Sequence, residues 1–435
     1  MERTSVIAKK RHRTYSTDPL QERAVLIAVD SARAQHWSAD ASLDELAMLA
    51  RTAGARPVAR FKQRLRHPDP GSYIGKGKLQ EVIDSQVEQP YNVAIFDDEL
   101  SPAQQRRLEG RLGVKVIDRT ALILDIFAQR ARTREGKLQV ALAQHEYLLP
   151  RLRGQWSHLE RMEGAIGLRG PGETQLETDR RLIRVQIKRL KQQIQEVRDH
   201  RRGYRDRRQK AGLPVVALVG YTNAGKSTLM NTLTHADVGA RDRLFETLDP
   251  VTRRCQIDDD LTILLTDTVG FIQKLPTHLI MAFRATLEEI GDADLLLHVV
   301  DITHPDAAEQ AQTVEDTLDA LGIADRPVLA VLNKADQIEI EGSGHPRSLD
   351  DLAEARHQLA ATRPDAVLAS AASKWGIDEL RARIADELAQ PREEVGPDPV
   401  VEAEPQTFDH PVAHSARPRA ADPNEAADRV NRESA

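Results

Sequence analysis

Gly220-Tyr221-Thr222-Asn223-Ala224-Gly225-Lys226-Ser227 places glycines five residues apart and closes on a Lys-Ser pair. It matches G-x-x-x-x-G-K-[ST], lying directly after the apolar run Val215–Val219 and ahead of a helical stretch. In that context the loop N–H groups and the helix N-terminus face phosphates. Lys226 is then placed to reach β- and γ-phosphates, and the Ser227 hydroxyl to ligate Mg²⁺. Thr266-Asp267-Thr268-Val269-Gly270 ends another apolar strand. Asp267 can hold Mg²⁺ directly or through water, and the Gly270 N–H can approach a γ-phosphate. Asn333-Lys334-Ala335-Asp336 follows the run Val328–Leu332. A carboxylate at Asp336 accepts from the N1–H and the 2-amino group of guanine. Adenine lacks that donor pair and would leave the carboxylate unpaired, at a large cost. Asn333 can contact the N7 side and brace the phosphate loop, while the Lys334 stem covers the base plane.

Two further segments complete the pattern. Ser370-Ala371-Ala372 follows the next strand, where backbone N–H groups can meet the guanine O6. Phe245-Glu246-Thr247-Leu248-Asp249-Pro250 lies between the first two motifs. Its threonine is expected to complete the Mg²⁺ shell and sense the γ-phosphate, with Thr252 as the less favoured substitute. Four motifs in this order, each at a strand end, point to a Mg²⁺-dependent GTPase that binds GTP and GDP. Lys226, Thr247 and Gly270 are the expected catalytic groups. The residue after Gly270 is Phe271, where many GTPases carry a water-orienting glutamine. A slow intrinsic turnover, raised by a partner, is therefore expected.

These motifs must be carried by a doubly wound α/β domain, expected over residues 213–390. Ahead of it, residues 21–120 alternate strand-like and helix-like stretches and predict a small α/β domain with a largely parallel sheet. Ser101-Pro102 marks a helix start, and Gly75-Lys76-Gly77-Lys78 opens another. Residues 121–212 predict a helical hairpin. Its first helix runs through Leu138, Leu142, Leu149 and Leu152, with a kink at Pro150; the second carries Leu176, Ile183, Leu190 and Val197 at sevenfold spacing. The glycine-rich stretch Gly164–Gly172 is expected at the tip. Residues 1–20 are read as a flexible basic N-terminus and 391–435 as a disordered tail poor in large apolar residues.

Composition narrows the class. A single cysteine, Cys255, rules out an intramolecular disulfide and cysteine-rich zinc cages. Apolar runs are strand-sized, so no integral membrane segment and a cytoplasmic location are expected. The net charge of −6 hides an asymmetry: Met1–Lys210 holds 41 Lys/Arg against 27 Asp/Glu, and the remainder 20 against 40. A basic half beside an acidic half points to a polyanionic partner. Arg151, Arg153, Arg169, Arg180, Arg181 and the Arg198–Lys210 run are candidate contacts, as is the Gly75–Lys78 turn for a phosphate. A protein-partnered switch without RNA is the alternative. A monomer is expected.

The sequence closely resembles the HflX GTPases of the Obg–HflX group, over about residues 20–390. The resemblance rests on Phe96-Asp-Asp-Glu-Leu-Ser-Pro, Val116-Ile-Asp-Arg-Thr, Leu124-Asp-Ile-Phe, Arg130–Val140 and Arg169-Gly-Pro-Gly-Glu-Thr-Gln, together with the nucleotide motifs. It implies a bacterial-type ribosome-binding GTPase that acts mainly on the large subunit and its rRNA, as a splitting or rescue factor. It also implies an N-terminal α/β domain, a helical linker and a G domain, with the hairpin tip reaching towards the peptidyl-transferase region. Some members are said to use ATP through the N-terminal region; no complete second nucleotide motif is present here. Ala141 and Ala165 depart from the usual glutamate and glycine.

Overall fold

A computed structural model of the chain describes residues 22–31, 38–154, 171–209, 212–235, 244–275, 290–323, 325–340, 344–363 and 365–390. Residues 1–390 form one unit, and 391–435 lie outside the described residues. The expected N-terminal arm, the tail, most of the glycine-rich tip, Arg169 and residues 276–289 also fall outside them.

The first sheet has strands β1 (Arg23–Ser31), β2 (Arg56–Leu65), β3 (Val93–Phe96) and β4 (Lys115–Asp118), in the order β2-β1-β3-β4. All neighbours are parallel. Parallel sheets are covered on both faces, so their strands read as continuous apolar runs. Strand β1 shows how one run serves two cores. Ala24, Leu26 and Ala28 enter the cluster that includes helices α1 (Ala39–Thr52) and α4 (Arg119–Arg130). Val25, Ile27 and Val29 enter the opposite cluster, with helices α2 (Lys76–Ser85) and α3 (Pro102–Leu112). The two-residue side-chain period makes that division. Helix α3 begins with Ser101 as N-cap in a capping box with Gln104, and ends at Gly113 in the left-handed conformation. Helix α4 packs on α1, β3 and β4; we propose that the N-terminal domain extends through Arg130 rather than ending at 120.

Helix α5 (Arg134–Leu148) and the long helix α6 (Pro171–Gln209) pair antiparallel. Lys191 meets Glu146 at 2.9 Å, His145 meets Gln186 at 2.7 Å, and Arg201 meets Glu135 at 3.3 Å. Residues 183, 187, 190 and 197 are half-buried and Ile194 is buried, so the sevenfold stripe is the packed face. The chain does not kink at Pro150. Helix α5 stops at Leu148 and a 3-10 turn, Arg151–Gly154, follows. Proline cannot donate the next helical bond, and its ring excludes the preceding turn.

The second sheet has strands β5 (Val215–Gly220), β6 (Val251–Gln256), β7 (Thr262–Asp267), β8 (Leu295–Asp301), β9 (Val328–Asn333) and β10 (Ala366–Leu368). Their order is β10-β9-β8-β5-β7-β6, parallel except for the edge strand β6. Helices α7 (Lys226–Thr234), α8 (Ala307–Ala320), α9 (Ala353–Thr362) and α10 (Ile377–Ala389) complete the described domain. Chain order reverses at β5, between β7 and β8, and a ligand crevice opens beyond the strand ends at such a point. This is the expected α/β class: a small parallel α/β domain, a helical pair and a doubly wound domain.

His298, at the centre of β8, is buried and its Nε2 has no hydrogen-bond partner. Burial pushes its pKa down to about 4. The folded ring stays neutral while the unfolded chain binds a proton from about pH 6.5 downward. Stability is therefore lost as pH falls from 6.5 towards 4, by about 2.5 kcal/mol at pH 4.5. Urea unfolding at pH 7 and 4.5 should show His298→Leu losing less stability than the parent by that amount. Equal losses would contradict this origin.

Candidate functional site: a phosphate loop at the switch point of the second sheet

The loop Gly220–Ser227 leaves β5 and enters α7. Gly225 sits at φ +96°, and a Cβ there would strike the Asn333 amide. Asn333 donates to the Ala224 carbonyl at 2.8 Å and accepts from the Ala371 N–H at 3.0 Å, so one amide braces the loop against the base-side loop. Buried Lys226 donates to the Gly220 and Tyr221 carbonyls at 3.0 and 2.9 Å. Burial pushes its pKa down to about 8, and the nearby Asp267 opposes that shift. A polyanion beside this amine would hold it fully charged.

Three oxygens converge next to it. Ser227 Oγ lies 2.7 Å from Asp267 Oδ2 and 2.9 Å from Thr247 Oγ1, and Thr247 Oγ1 lies 2.8 Å from Asp267 Oδ2. The second Asp267 oxygen, Oδ1, is buried with no hydrogen-bond partner. Burial raises the Asp267 pKa. Hard oxygen donors with a bare carboxylate oxygen fit a hydrated Mg²⁺. Thr252, the alternative threonine, instead meets Thr266 Oγ1 at 2.9 Å between β6 and β7.

Gly270 lies on the pocket wall, against the phosphate loop. A Cβ there would come within 2.7 Å of the Thr222 Cα and 3.0 Å of the Lys226 amine. The next residue is zipped to the loop: Phe271 N donates to the Gly220 carbonyl at 3.1 Å, and Thr222 N to the Phe271 carbonyl at 2.7 Å. Thr268 Oγ1 donates to the Leu218 carbonyl, and Val269 and Phe271 are buried in the core. Gln273 cannot replace a catalytic glutamine in this arrangement, because its amide donates to Ser42 Oγ at 3.2 Å.

At the base end, Asp336 Oδ1 accepts from Ser370 Oγ at 2.6 Å. The Lys334 amine pairs with Asp301 Oδ2 at 2.6 Å, which tethers its stem. Ala335 is buried beneath and donates its N–H to the Ala369 carbonyl. Ser370 N bonds the Trp375 carbonyl and Ala371 N bonds Asn333, so both N–H groups expected at O6 already have partners, although Ala371 lines the pocket beside Ala372. Ser370 instead orients the Asp336 carboxylate, and we propose Ala372, on the pocket wall, for O6. The pocket, about 340 Å³, is lined by Thr222, Asn223, Lys226, Ser227, Glu246, Thr247, Gly270, Lys334, Asp336 and their neighbours.

Tyr221, Leu248 and Asp249 turn elsewhere. Leu248 is buried in the core. The Asp249 carboxylate bonds the start of α5. The Tyr221 hydroxyl donates to Glu45 and accepts from Gln273 N at 2.9 Å. Glu45 pairs with buried Arg119, which meets Asp97 at 2.8 Å; Lys274 pairs with Asp97, and with Asp98 at 2.7 Å. This ion cluster fastens the loops beyond β5 and β7 to the first sheet's domain. Sequence reasoning missed it; the only local signal was an arginine, Arg119, opening an apolar helix. Arg151, read as a polyanion contact, is also structural. It bonds the Leu100 carbonyl at 2.8 Å and Asp118 at 3.1 Å, and lies over the Tyr147 ring. At the Gly75 turn, Gln63 already accepts from the Gly75 N–H, and Lys78 pairs with Glu81. Cys255 lies buried in β6.

The fold and pocket define a P-loop GTPase. Family models agree along the chain: a GTP-binding GTPase N-terminal region matches residues 40–128, a GTP-binding GTPase middle region 130–208, and a 50S ribosome-binding GTPase 215–334. GTPase HflX of Caldanaerobacter subterraneus is 46% identical over 86% of this chain and 82% of its own length. GTPase HflX of Escherichia coli K12 is 43% identical over 85% and 84%. The chain belongs to the HflX family of GTPases. A solved GTP-binding protein of Sulfolobus solfataricus in complex with GDP is 24% identical, covering 85% of this chain and 99% of its own, with a TM-score of 0.43. Among the described residues, no helix is long and apolar enough to cross a membrane.

Proposed function

We propose that this GTPase acts in the cytoplasm on the large ribosomal subunit, contacting its rRNA, and that Mg²⁺-dependent hydrolysis times ribosome splitting or rescue. The observation that carries the catalytic part is the meeting of Ser227, Thr247 and Asp267 beside the Lys226 amine. Ser227 and Thr247 would hold Mg²⁺, with Asp267 in the outer shell; the ion, when bound, neutralises charge on the β- and γ-oxygens. Lys226 and the loop N–H groups face the charge that grows on the transferred group as water attacks in line. The Gly270 N–H adds to them. The Asp336 carboxylate, held by Ser370, selects guanine. Phe271 is buried and Gln273 is turned to Ser42, so neither can orient water there, and turnover alone stays well below about 10 s⁻¹.

The ribosomal part is supported by the family model over 215–334 and by the basic face of α6. Arg181, Arg184, Lys188 and Arg189 are exposed along it, as phosphate contacts require. In a pelleting assay, large subunits should retain the protein with a non-hydrolysable GTP analogue, and retention should fall steeply with salt. Sucrose gradients of intact ribosomes should show subunits accumulating with the parent protein and GTP, but not with Lys226→Met. No retention with the analogue, or stimulation by a protein fraction and not by ribosomes, would overturn the ribosomal reading.

A further inference from the structure

The segment Phe245–Asp249 is held at both ends, and only one end belongs to the nucleotide pocket. Thr247 Oγ1 sits with Ser227 and Asp267. Two residues on, the Asp249 carboxylate leaves the pocket and caps the start of α5. It accepts from Arg132 N at 2.7 Å, Thr133 N at 2.8 Å and Thr133 Oγ1 at 2.5 Å. Thr133 is itself the N-cap of α5, accepting from Gly136 N at 3.0 Å. A carboxylate here meets the positive end of the helix dipole. Gly136 leaves the room for it, since a Cβ there would collide with the Asp249 carboxylate. Behind the segment, Phe245 packs edge-on against Phe127 of α4, with ring centres 4.7 Å apart at 81°.

We propose that Asp249 is a positioning residue for Thr247, and that through it the α5–α6 pair distinguishes a bound nucleoside triphosphate from a diphosphate. Two residues of extended chain span at most about 7 Å. A Thr247 that swings away from the phosphate loop therefore takes Asp249 off α5, and a hairpin that tilts α5 pulls on Thr247. Helix α5 carries the motion outward, because its other face is locked to α6 by Glu146–Lys191 and Glu135–Arg201. Coupling of this kind is reciprocal: what the triphosphate does to the hairpin, the hairpin does to triphosphate affinity. The proposal rests on the reading of Thr247 as the γ-phosphate contact.

The test measures affinities of the full chain for a non-hydrolysable Mg²⁺–GTP analogue and for Mg²⁺–GDP, by displacement of a fluorescent nucleotide. Asp249→Ala and Gly136→Ala reach the joint from opposite sides, and alanine at 136 favours the helix, so folding is not at risk in both. Each is expected to weaken the triphosphate about fivefold to tenfold while GDP stays within about twofold. Asp249→Asn, which keeps an acceptor, should recover part of the loss. Thr247→Ala sets the reference for losing the sensor itself. If Thr247→Ala lowers the triphosphate-to-diphosphate preference and the Asp249 and Gly136 variants do not, the joint is refuted while the Thr247 reading stands. A loss shared equally by both nucleotides refutes it too, as a structural role would do that. An unchanged preference in Thr247→Ala overturns the Thr247 reading and the proposal with it.

Discussion

Lys226→Met is expected to lower GTP hydrolysis by about 10²–10³-fold at saturating nucleotide, the range for loss of one preorganised charge in a closed site. The amine is buried, its hydrogen bonds go to two carbonyls, and its pKa is pushed down to about 8. Such a cation is destabilising for the fold until an anion arrives. Methionine keeps the stem and drops the charge, so the nucleotide-free protein should melt at the same temperature as the parent or higher. Function and stability should therefore move in opposite directions, which distinguishes a lost catalytic group from a damaged fold. Phosphate release with and without ribosomes, alongside thermal melts, reads both. Hydrolysis within about fivefold of the parent would remove Lys226 from the mechanism.

Asp336→Asn carries the second large effect. Guanine offers two donors to the Asp336 carboxylate, and Ser370 fixes one of its oxygens. An asparagine presents an amide to at least one of those donors. The mismatch is expected to weaken GDP about a hundredfold or more, the scale on which sites built for hydrogen bonding reject an ill-matched ligand. Xanthine carries a carbonyl where guanine has its amino group, and the asparagine amide can donate to it. The variant should accordingly prefer XDP, a switch that general damage to the pocket would not produce.

Much of the site lies in contiguous motifs and was legible for that reason. Gly220 through Ser227 combines a strand, a glycine turn and a helix start within a dozen residues, and each has its own local chemistry. The same holds for β3, whose four apolar residues Val93–Phe96 are all buried, and for α3, announced by Ser101-Pro102. What escaped were the contacts that join segments far apart in the chain. Tyr221 and Glu45 are 176 residues apart, and Asp249 and Thr133 are 116 apart. Neither pair leaves a periodic trace. Ser370 was assigned by its backbone, whereas its hydroxyl does the work, because the bridge to Trp375 that occupies its N–H forms only in the folded turn. Arg151 misled through composition: a cation in a basic half of the chain looks solvated until Leu100 and Asp118 close around it. The doubly wound class was readable from the alternation of strands and helices, but the strand order was not, and the antiparallel edge β6 depends on its register with β7, from Val251 opposite Asp267 to Gln256 opposite Thr262.

Calorimetric titration of the full chain with Mg²⁺–GDP and Mg²⁺–ADP, repeated on Asp336→Asn with XDP, bears most directly on the claim that one pocket cradles the phosphates and reads the purine edge. The parent should take up one GDP per chain and bind ADP at least about a hundredfold more weakly, and the variant should bind XDP in place of GDP. Equal affinity for GDP and ADP, or no uptake of GDP by folded protein, would contradict it.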